Sequence, residues 1–442
     1  MKIILLSGGS GKRLWPLSND VRSKQFLKVL QSDQGEPESM IQRVYRQIKI
    51  AGIDSDIVVA TGIKQSESIH NQLGSDVDVV NEPSRRDTFP AIMLAASYLF
   101  YKKKINPTET VVVLPVDPYA DINYFLILEK IAKRVEEADI NMALMGIKPT
   151  YPSEKYGYLI PDKENKMVKQ FQEKPSEQLA IELISQEALW NGGVFAFKLG
   201  YIMQILKTYI SFSSFEEVAD QYDSLPKISF DYEVVEKEKA IAYVKYEGTW
   251  KDLGTWNTLT EVMAQPKVGK VITDTSKSNT HILNELDIPL IVLGAQDMVV
   301  VASPDGILIS DKHQSSYLKD YLNDISERPM CQEHRWGEYK VIDYTHYSDD
   351  VSSLTKSLFI HKGEFLDYKS HSSRDEIITV VDGTGLLVLD GETHPINRGD
   401  VTLIQRGQKH AIRALTPMRL IEVQIGCTIV EEDAQEADWF WE

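Results

Sequence analysis

Three glycines, Gly8, Gly9 and Gly11, followed at once by Lys12 and Arg13, form the segment of this sequence with the clearest chemistry. Glycine lacks the side chain that would hold backbone N–H groups away from phosphate oxygens. An apolar run ending at Leu6 and Ser7 leads into the turn, and Arg13 with Lys24 adds positive charge beside it. The segment therefore reads as a phosphate cradle. Two familiar forms are excluded. A Walker loop needs Gly where Leu6 stands and Ser or Thr where Arg13 stands. A dinucleotide fingerprint begun at Gly9 would need its third Gly where Leu14 stands. Taken alone, such a turn is also an ordinary strand-to-helix connection with solvated basic residues.

A cradle of this kind needs a strand behind it and a rigid sheet around it. The apolar runs KIILLS, DIVVAT, VDVV and TVVVLP alternate with helical patterns that begin near Met40, Ser66, Phe89 and Asn123. Such alternation, rich in Val and Ile, predicts an α/β doubly wound fold, with a mostly parallel sheet covered by helices on both faces. Ligands of these sheets sit beyond the carboxyl ends of the strands. The glycine turn, the segment Glu82–Asp87 and the segment Pro115–Pro118 all fall there. From about Lys270 to Asp320 the texture changes to short strands with turns between them, a small β connector. Beyond Glu327, strand-sized runs punctuated by Gly and Asp-Gly turns predict an antiparallel barrel or jelly roll. The expected domains are 1–265, 266–326 and 327–442.

Bulk composition narrows the function classes. With 442 residues, 43% hydrophobic and 26% charged, the chain can bury real cores. A formal net charge of -17 repels phosphate polymers and anionic lipid, so nucleic acid and membrane are unexpected partners. A few cations in one cleft, or a metal ion, can still reverse the sign locally. Two cysteines, Cys331 and Cys427, show no disulfide or metal-ligand pattern, which fits a reducing cytoplasm. The apolar run Ile3–Leu6 is too short for a secretion signal.

The run SGGSGKRLWPLS with the following KQFL resembles the signature of the sugar-1-phosphate nucleotidyltransferases, and Trp15 with Gln25, Phe26 and Leu27 looks most like the mannose-1-phosphate guanylyltransferase branch. Further stations follow in that family's order. Glu82-Pro83 through Arg86-Asp87-Thr88 is similar to its segment beside base and triphosphate, with Asp87 where Asn is usual. Leu114–Pro118 resembles its LPSDH, and Trp250-Lys251-Asp252-Leu253-Gly254 its W-x-D-x-G. Phe171–Pro175 resembles F-x-EKP, and Trp190–Phe195 resembles WNSGMF.

The resemblance implies a Rossmann-like catalytic domain that transfers GMP from GTP to mannose 1-phosphate, by in-line attack with no protein nucleophile. It implies Leu6, Ser7, Gly8, Gly9, Gly11, Lys12, Arg13, Lys24, Glu82, Arg86, Asp87 and Asp117 around the nucleotide. Gly157, Tyr158, Glu173, Lys174, Asn191, Gly192 and Asp231 would surround the sugar phosphate. Arg13, Lys24, Asp117, Lys174 and Asp252 would carry catalysis, with Mg²⁺ on Asp117 and Asp252. An Asp at position 87 is also a natural helix cap. The departures at Asp87, Val116 and Pro118 leave open another sugar 1-phosphate or base, and a homodimer is compatible with the pattern.

The tail resembles the cupin of the long bacterial guanylyltransferases that also isomerise mannose 6-phosphate. Arg335–Tyr339 and Leu420–Gln424 carry that likeness, with His371, Glu376 and His410 at metal-ligand spacing and Arg374 beside them. The fourth ligand position holds Lys369. An ammonium has only donors and cannot coordinate a cation, although it could pair with Glu376. The sequence thus argues for a degenerate metal site and against isomerase activity.

Overall fold

The computed structural model describes every residue except 10, 20, 54, 138, 275–277, 323–327, 349, 428, 431–432 and 442, so Ser10 of the glycine turn lies outside the described residues. Contacts divide the chain into two units. Unit 1 comprises Met1–Ser66, Asp76–Pro266 and Asp311–Lys319; unit 2 comprises Glu67–Ser75, Lys267–Ser310 and Asp320–Glu442. Among the described residues no helix is long and apolar enough to cross a membrane.

Unit 1 is built on a nine-stranded sheet. Its strands are β1 (Lys2–Leu6), β2 (Ile57–Gly62), β3 (Asp78–Glu82), β4 (Thr110–Pro115), β5 (Met142–Ile147), β6 (Tyr158–Asp162), β7 (Met167–Gln172), β8 (Leu189–Lys198) and β9 (Ile241–Tyr246), in the order β3-β2-β1-β4-β8-β5-β9-β7-β6. The Val- and Ile-rich runs became the parallel strands β1 to β4, of which β1, β2 and β4 are buried on both faces: Ile3, Ile4, Val58, Val112 and Val113 are all 0% exposed. Against them lies the helix Thr88–Tyr101, most of whose residues are buried.

β8 departs from the parallel pattern. It runs antiparallel between β4 and β5, pairing Ala196 with Val112 on one side and with Ala143 on the other. Its register against β5 shifts between Asn191 and Phe195, an irregularity that includes Gly193 at φ +70°. This bulge takes Gly192 and Gly193 out of the ladder directly after Asn191, which stays paired with Gly146.

Unit 2 contains short parallel strands between Lys267 and Ser303 and a barrel of two sheets. One barrel sheet has six strands, centred on Val351–Ile360, Met418–Gly426 and Arg374–Asp382; the other has five, including Thr384–Leu389, His410–Ala414 and Lys369–His371. Burial alternates residue by residue along Val351–Ile360, as one packed face demands. Leu358, Ile378, Leu387, Ile412 and Leu420 fill the space between the sheets. The helix from Ser66, which the sequence pattern places on the parallel sheet, counts with unit 2 from Glu67 onward; there Asn71 Nδ2 donates to the carbonyl of His334 at 2.8 Å.

Candidate active site

The glycine turn leaves β1 with its carbonyls drawn onto protein donors. Gln25 Nε2 donates to the Ser7 carbonyl at 2.7 Å and Thr61 Oγ1 to the same oxygen at 3.2 Å. The Gly9 carbonyl accepts from Gln65 Nε2 at 3.0 Å and Ser23 Oγ at 3.1 Å, and that of Gly11 from Ser18 Oγ. The carbonyl oxygens of Ser7, Gly9 and Gly11, which would repel a phosphate, are thus engaged by the protein. Gly11 adopts φ +60°, and a Cβ there would stand 2.7 Å from the Lys24 backbone nitrogen. Only glycine lets the turn touch the backbone that carries Lys24. Beyond the turn opens a cleft of about 1180 Å³, mouth included, lined by Gly8, Gly9, Glu82, Arg85, Arg86 and Asp87, with Lys227 and Lys319 among its other walls.

At the far edge of the turn Lys24 Nζ bonds Asp117 Oδ2 at 2.7 Å. Asp117 follows the carboxyl end of β4, and the strand Trp250–Asp252 pairs with Pro118–Ala120 so that Asp252 lies opposite Pro118. Two distant motifs are therefore joined by one short ladder. Trp256 Nε1 donates to the Trp15 carbonyl at 3.0 Å, tying the same segment to the glycine turn. Burial pushes the Asp117 carboxyl up, but the charge and hydrogen bond of Lys24 outweigh it and hold the group below the usual range. Asp252, with burial and the Asp117 charge acting together, is pushed above it. Burial pulls the Lys24 ammonium down, yet the two carboxylates keep it raised. Arg13 contributes to all three balances. Asp117 and Asp252 thus bring two half-buried carboxylates to one edge of the turn, the hard oxygen donors that a divalent cation takes.

A second cluster gathers the expected sugar-side residues. Asn191 Nδ2 donates to Asp231 Oδ1 at 2.6 Å, and Asn191 Oδ1 accepts the Gly193 N–H at 3.1 Å. Lys174, at φ +43°, places Nζ 3.0 Å from Glu173 Oε1, while the Glu173 N–H donates to Glu236 Oε1 at 3.0 Å. A Cβ on Gly157 would stand 2.4 Å from Glu173 Oε2. Burial, then the Glu173 charge, pushes Asp231 up to about 7, and burial likewise raises Glu173. Asp87 adds its charge to both. Carboxylates crowded in this way are ready acceptors for hydroxyl donors.

Some expected residues are held in structural bonds. Tyr158 is 0% exposed, and its hydroxyl donates to the Ser153 carbonyl at 3.0 Å while accepting the Ser153 N–H at 2.8 Å. Arg86 donates from Nε and Nη2 to the Leu225 carbonyl, at 3.0 and 2.8 Å, although it also lines the cleft. Asp87 caps the helix Thr88–Tyr101 through Thr88 N at 2.8 Å, at φ +71°. Glu82 is buried beneath the Tyr222 hydroxyl at 2.7 Å, and burial raises its carboxyl. Gly192 sits against Ile147, with no room for a Cβ. Sequence reasoning missed Thr61, Gln65, Lys227 and Lys319; none stands in a motif, and their roles come from long-range contact alone.

Residues 2–267 match the family described as nucleotidyl transferase. The chain belongs to the nucleotidyl transferase family. The transferase also matches the cupin domain over residues 358–424. It is 29% identical to a mannose-1-phosphate guanylyltransferase of Escherichia coli, covering 93% of this chain and 95% of the relative. It is 27% identical to the alginate biosynthesis protein AlgA of Pseudomonas fluorescens, covering 98% and 95%. Among solved structures, one described as mannose-1-phosphate geranyltransferase from Thermus thermophilus aligns at TM-score 0.60 and 27% identity, over 73% of this chain and 98% of that one.

In the barrel of the transferase, His371, Glu376 and His410 do come together, each offering a ligand atom within 4.8 Å of the others. The expected pairing of Lys369 with Glu376 is not made. Glu376 is instead taken by Arg374 Nε at 3.0 Å and His410 Nε2 at 3.1 Å, with His371 Nε2 standing 3.3 Å away. The reason is reach: Arg374 lies two residues along the same strand, and a guanidinium can engage two acceptors at once.

Proposed function

We propose that this nucleotidyl transferase moves GMP from GTP to mannose 1-phosphate, releasing pyrophosphate and GDP-mannose. The observation that carries the reading is the placement of Lys24, Asp117 and Asp252 at the edge of the glycine turn. The full-length similarity to mannose-1-phosphate guanylyltransferases supports the choice of substrates.

In this reading the cleft beyond Gly8 and Gly9 takes the nucleoside triphosphate, with Arg13 and Lys24 meeting its phosphates. Lys174 neutralises the sugar 1-phosphate, while Glu173, Asn191 and Asp231 accept and donate hydrogen bonds at the ring hydroxyls. An oxygen of the sugar phosphate, already anionic at neutral pH, forms a bond to the α-phosphorus. The bond from that phosphorus to the β-phosphate oxygen breaks, and the electron pair leaves with pyrophosphate. No proton has to move and no side chain has to attack, so the protein acts by positioning and charge. We assign Mg²⁺ to Asp117 and Asp252; when bound, it supplies neutralising charge to the triphosphate and the leaving group. Cys331 and Cys427 are both free thiols, which supports a cytoplasmic setting.

The test is pyrophosphate release across GTP, ATP, UTP and CTP combined with the 1-phosphates of mannose, glucose and galactose. The GTP and mannose 1-phosphate pair should exceed every other in kcat/KM by about tenfold or more, a margin of about 1.4 kcal/mol. A different preferred base or sugar would overturn the assignment.

A further inference from the structure

The barrel encloses a cavity of about 900 Å³, mouth included, lined from both of its sheets by Lys356, Glu376, Glu422 and Gln424 on one and by Lys369 and His410 on the other. The three grouped ligand atoms there invite a metal, but the residues around them do not fit one. Arg374, 1% exposed, donates to Glu376 Oε1 at 3.0 Å and stands 3.2 Å from His371 Nε2, so it occupies acceptors on two of the three ligands. Its other arm is fixed by Asp433 Oδ1 and the Val430 carbonyl, each at 2.6 Å. Lys369 supplies a second full positive charge where a ligand would be needed. A divalent ion would displace the guanidinium from its partners and then face both cations.

What the cavity does offer is a set of unspent groups. The Lys369 ammonium is half-buried and lines the cavity; it makes no direct hydrogen bond or ion pair among the described residues, and its charge acts on Glu422 and His371 at longer range. Gln424 is 2% exposed; its Nε2 donates to Glu376 and Glu422, but its Oε1 is buried with no donor among the described residues. A buried, unsatisfied acceptor in a cavity calls for a ligand donor. On the wall, His334 stacks on Trp336 at 4.8 Å between ring centroids and on Tyr339 at 5.7 Å, giving a flat apolar face.

We propose that the barrel binds an anionic sugar derivative without a metal ion, its phosphate or carboxylate on Lys369 Nζ and a hydroxyl donating to Gln424 Oε1. The aromatic wall would receive the C–H face of the ring, the usual division between an apolar body and a few polar anchors. This site is separate in the chain from the transferase residues of unit 1 and needs none of them.

The test uses the full-length protein. Metal analysis by plasma mass spectrometry, after dialysis against Zn²⁺ and then buffer, should find well under one equivalent in the wild type. Calorimetric titration in EDTA with mannose 6-phosphate, glucuronate and inorganic phosphate separates a phosphate ester from a sugar acid and from a bare ion. At least one of the two sugars should bind more tightly than inorganic phosphate. Lys369→Gln should weaken that binding tenfold or more with its melting temperature unchanged. Stoichiometric zinc in the wild type, binding of neither sugar, or sugar binding indifferent to Lys369→Gln would each overturn the proposal.

Discussion

The two carboxylate clusters of this chain set acidic residues against different partners. In unit 1, Asp117 and Asp252 share the single ammonium of Lys24, and Asp252 is pushed up by burial and by its neighbour. In the barrel, Glu376 is buried too, yet His410, His371 and Arg374 hold its carboxyl far below the usual range. Burial acts upward in both places, so the difference lies in the direct bonds: Arg374 and His410 bond Glu376, whereas among the described residues no ion pair reaches Asp252. A carboxylate left without a direct bond is open to a cation or a hydrogen-bond donor. One already neutralised is closed to it, and its remaining freedom lies in groups such as Lys369 that pair with none of the described residues.

Substitutions should therefore move the two clusters in opposite directions. Replacing Asp252 with Asn should cost turnover about 10³-fold, roughly 4 kcal/mol, in a pyrophosphate-release assay. The melting temperature should hold or rise, because a carboxyl with a raised pKa is being removed. Glu376→Gln should instead lower the melting temperature, since it leaves Arg374 buried beside a neutral group; equal melting of the two variants would break the contrast.

A smaller loss is expected at Gly157. A methyl group there meets Glu173 Oε2 at 2.4 Å. The Gly157→Ala variant should lose about 10- to 100-fold in kcat/KM for the sugar 1-phosphate, with the nucleotide KM little changed. A loss confined to the nucleotide would show that Glu173 is not on the sugar side. The turn should respond less: Gln25→Leu removes the donor to the Ser7 carbonyl, and the KM for the nucleotide should rise by about three- to tenfold, with a stability loss of about 1–2 kcal/mol by denaturant unfolding.

The smallest effect concerns pH. Asp231 titrates at about 7 in the folded protein, above its unfolded value. The native state therefore holds a proton that the unfolded chain has already lost, and stability present at low pH declines as pH rises through about 7. Asp231→Asn should remove that decline. Its melting temperature should exceed the wild type's at pH 8 and not at pH 5.

Much of this was legible from the sequence. The runs KIILLS, DIVVAT and TVVVLP became β1, β2 and β4 because continuous Val and Ile suit a strand buried on both faces. The glycine turn, Asp117 and Asp252 were legible because local chemistry marks them. The position of β8 was not, since antiparallel insertion between two strands depends on pairings with β4 and β5 that no local period records. Nor were Gln65 and Thr61, whose work on the turn is done from β2 and the segment after it. In the barrel, residue spacing grouped His371, Glu376 and His410 correctly, yet gave no sign that Arg374 rather than Lys369 would take Glu376.

The contrast between the clusters is tested most directly by counting Mn²⁺, a stand-in for Mg²⁺, on the nucleotide-free protein by electron paramagnetic resonance. One weak site is expected in the wild type, its affinity lowered about tenfold or more by Asp252→Asn and untouched by His410→Gln. Binding lost with His410→Gln and kept with Asp252→Asn would place the cation in the barrel and contradict the assignment of Asp117 and Asp252.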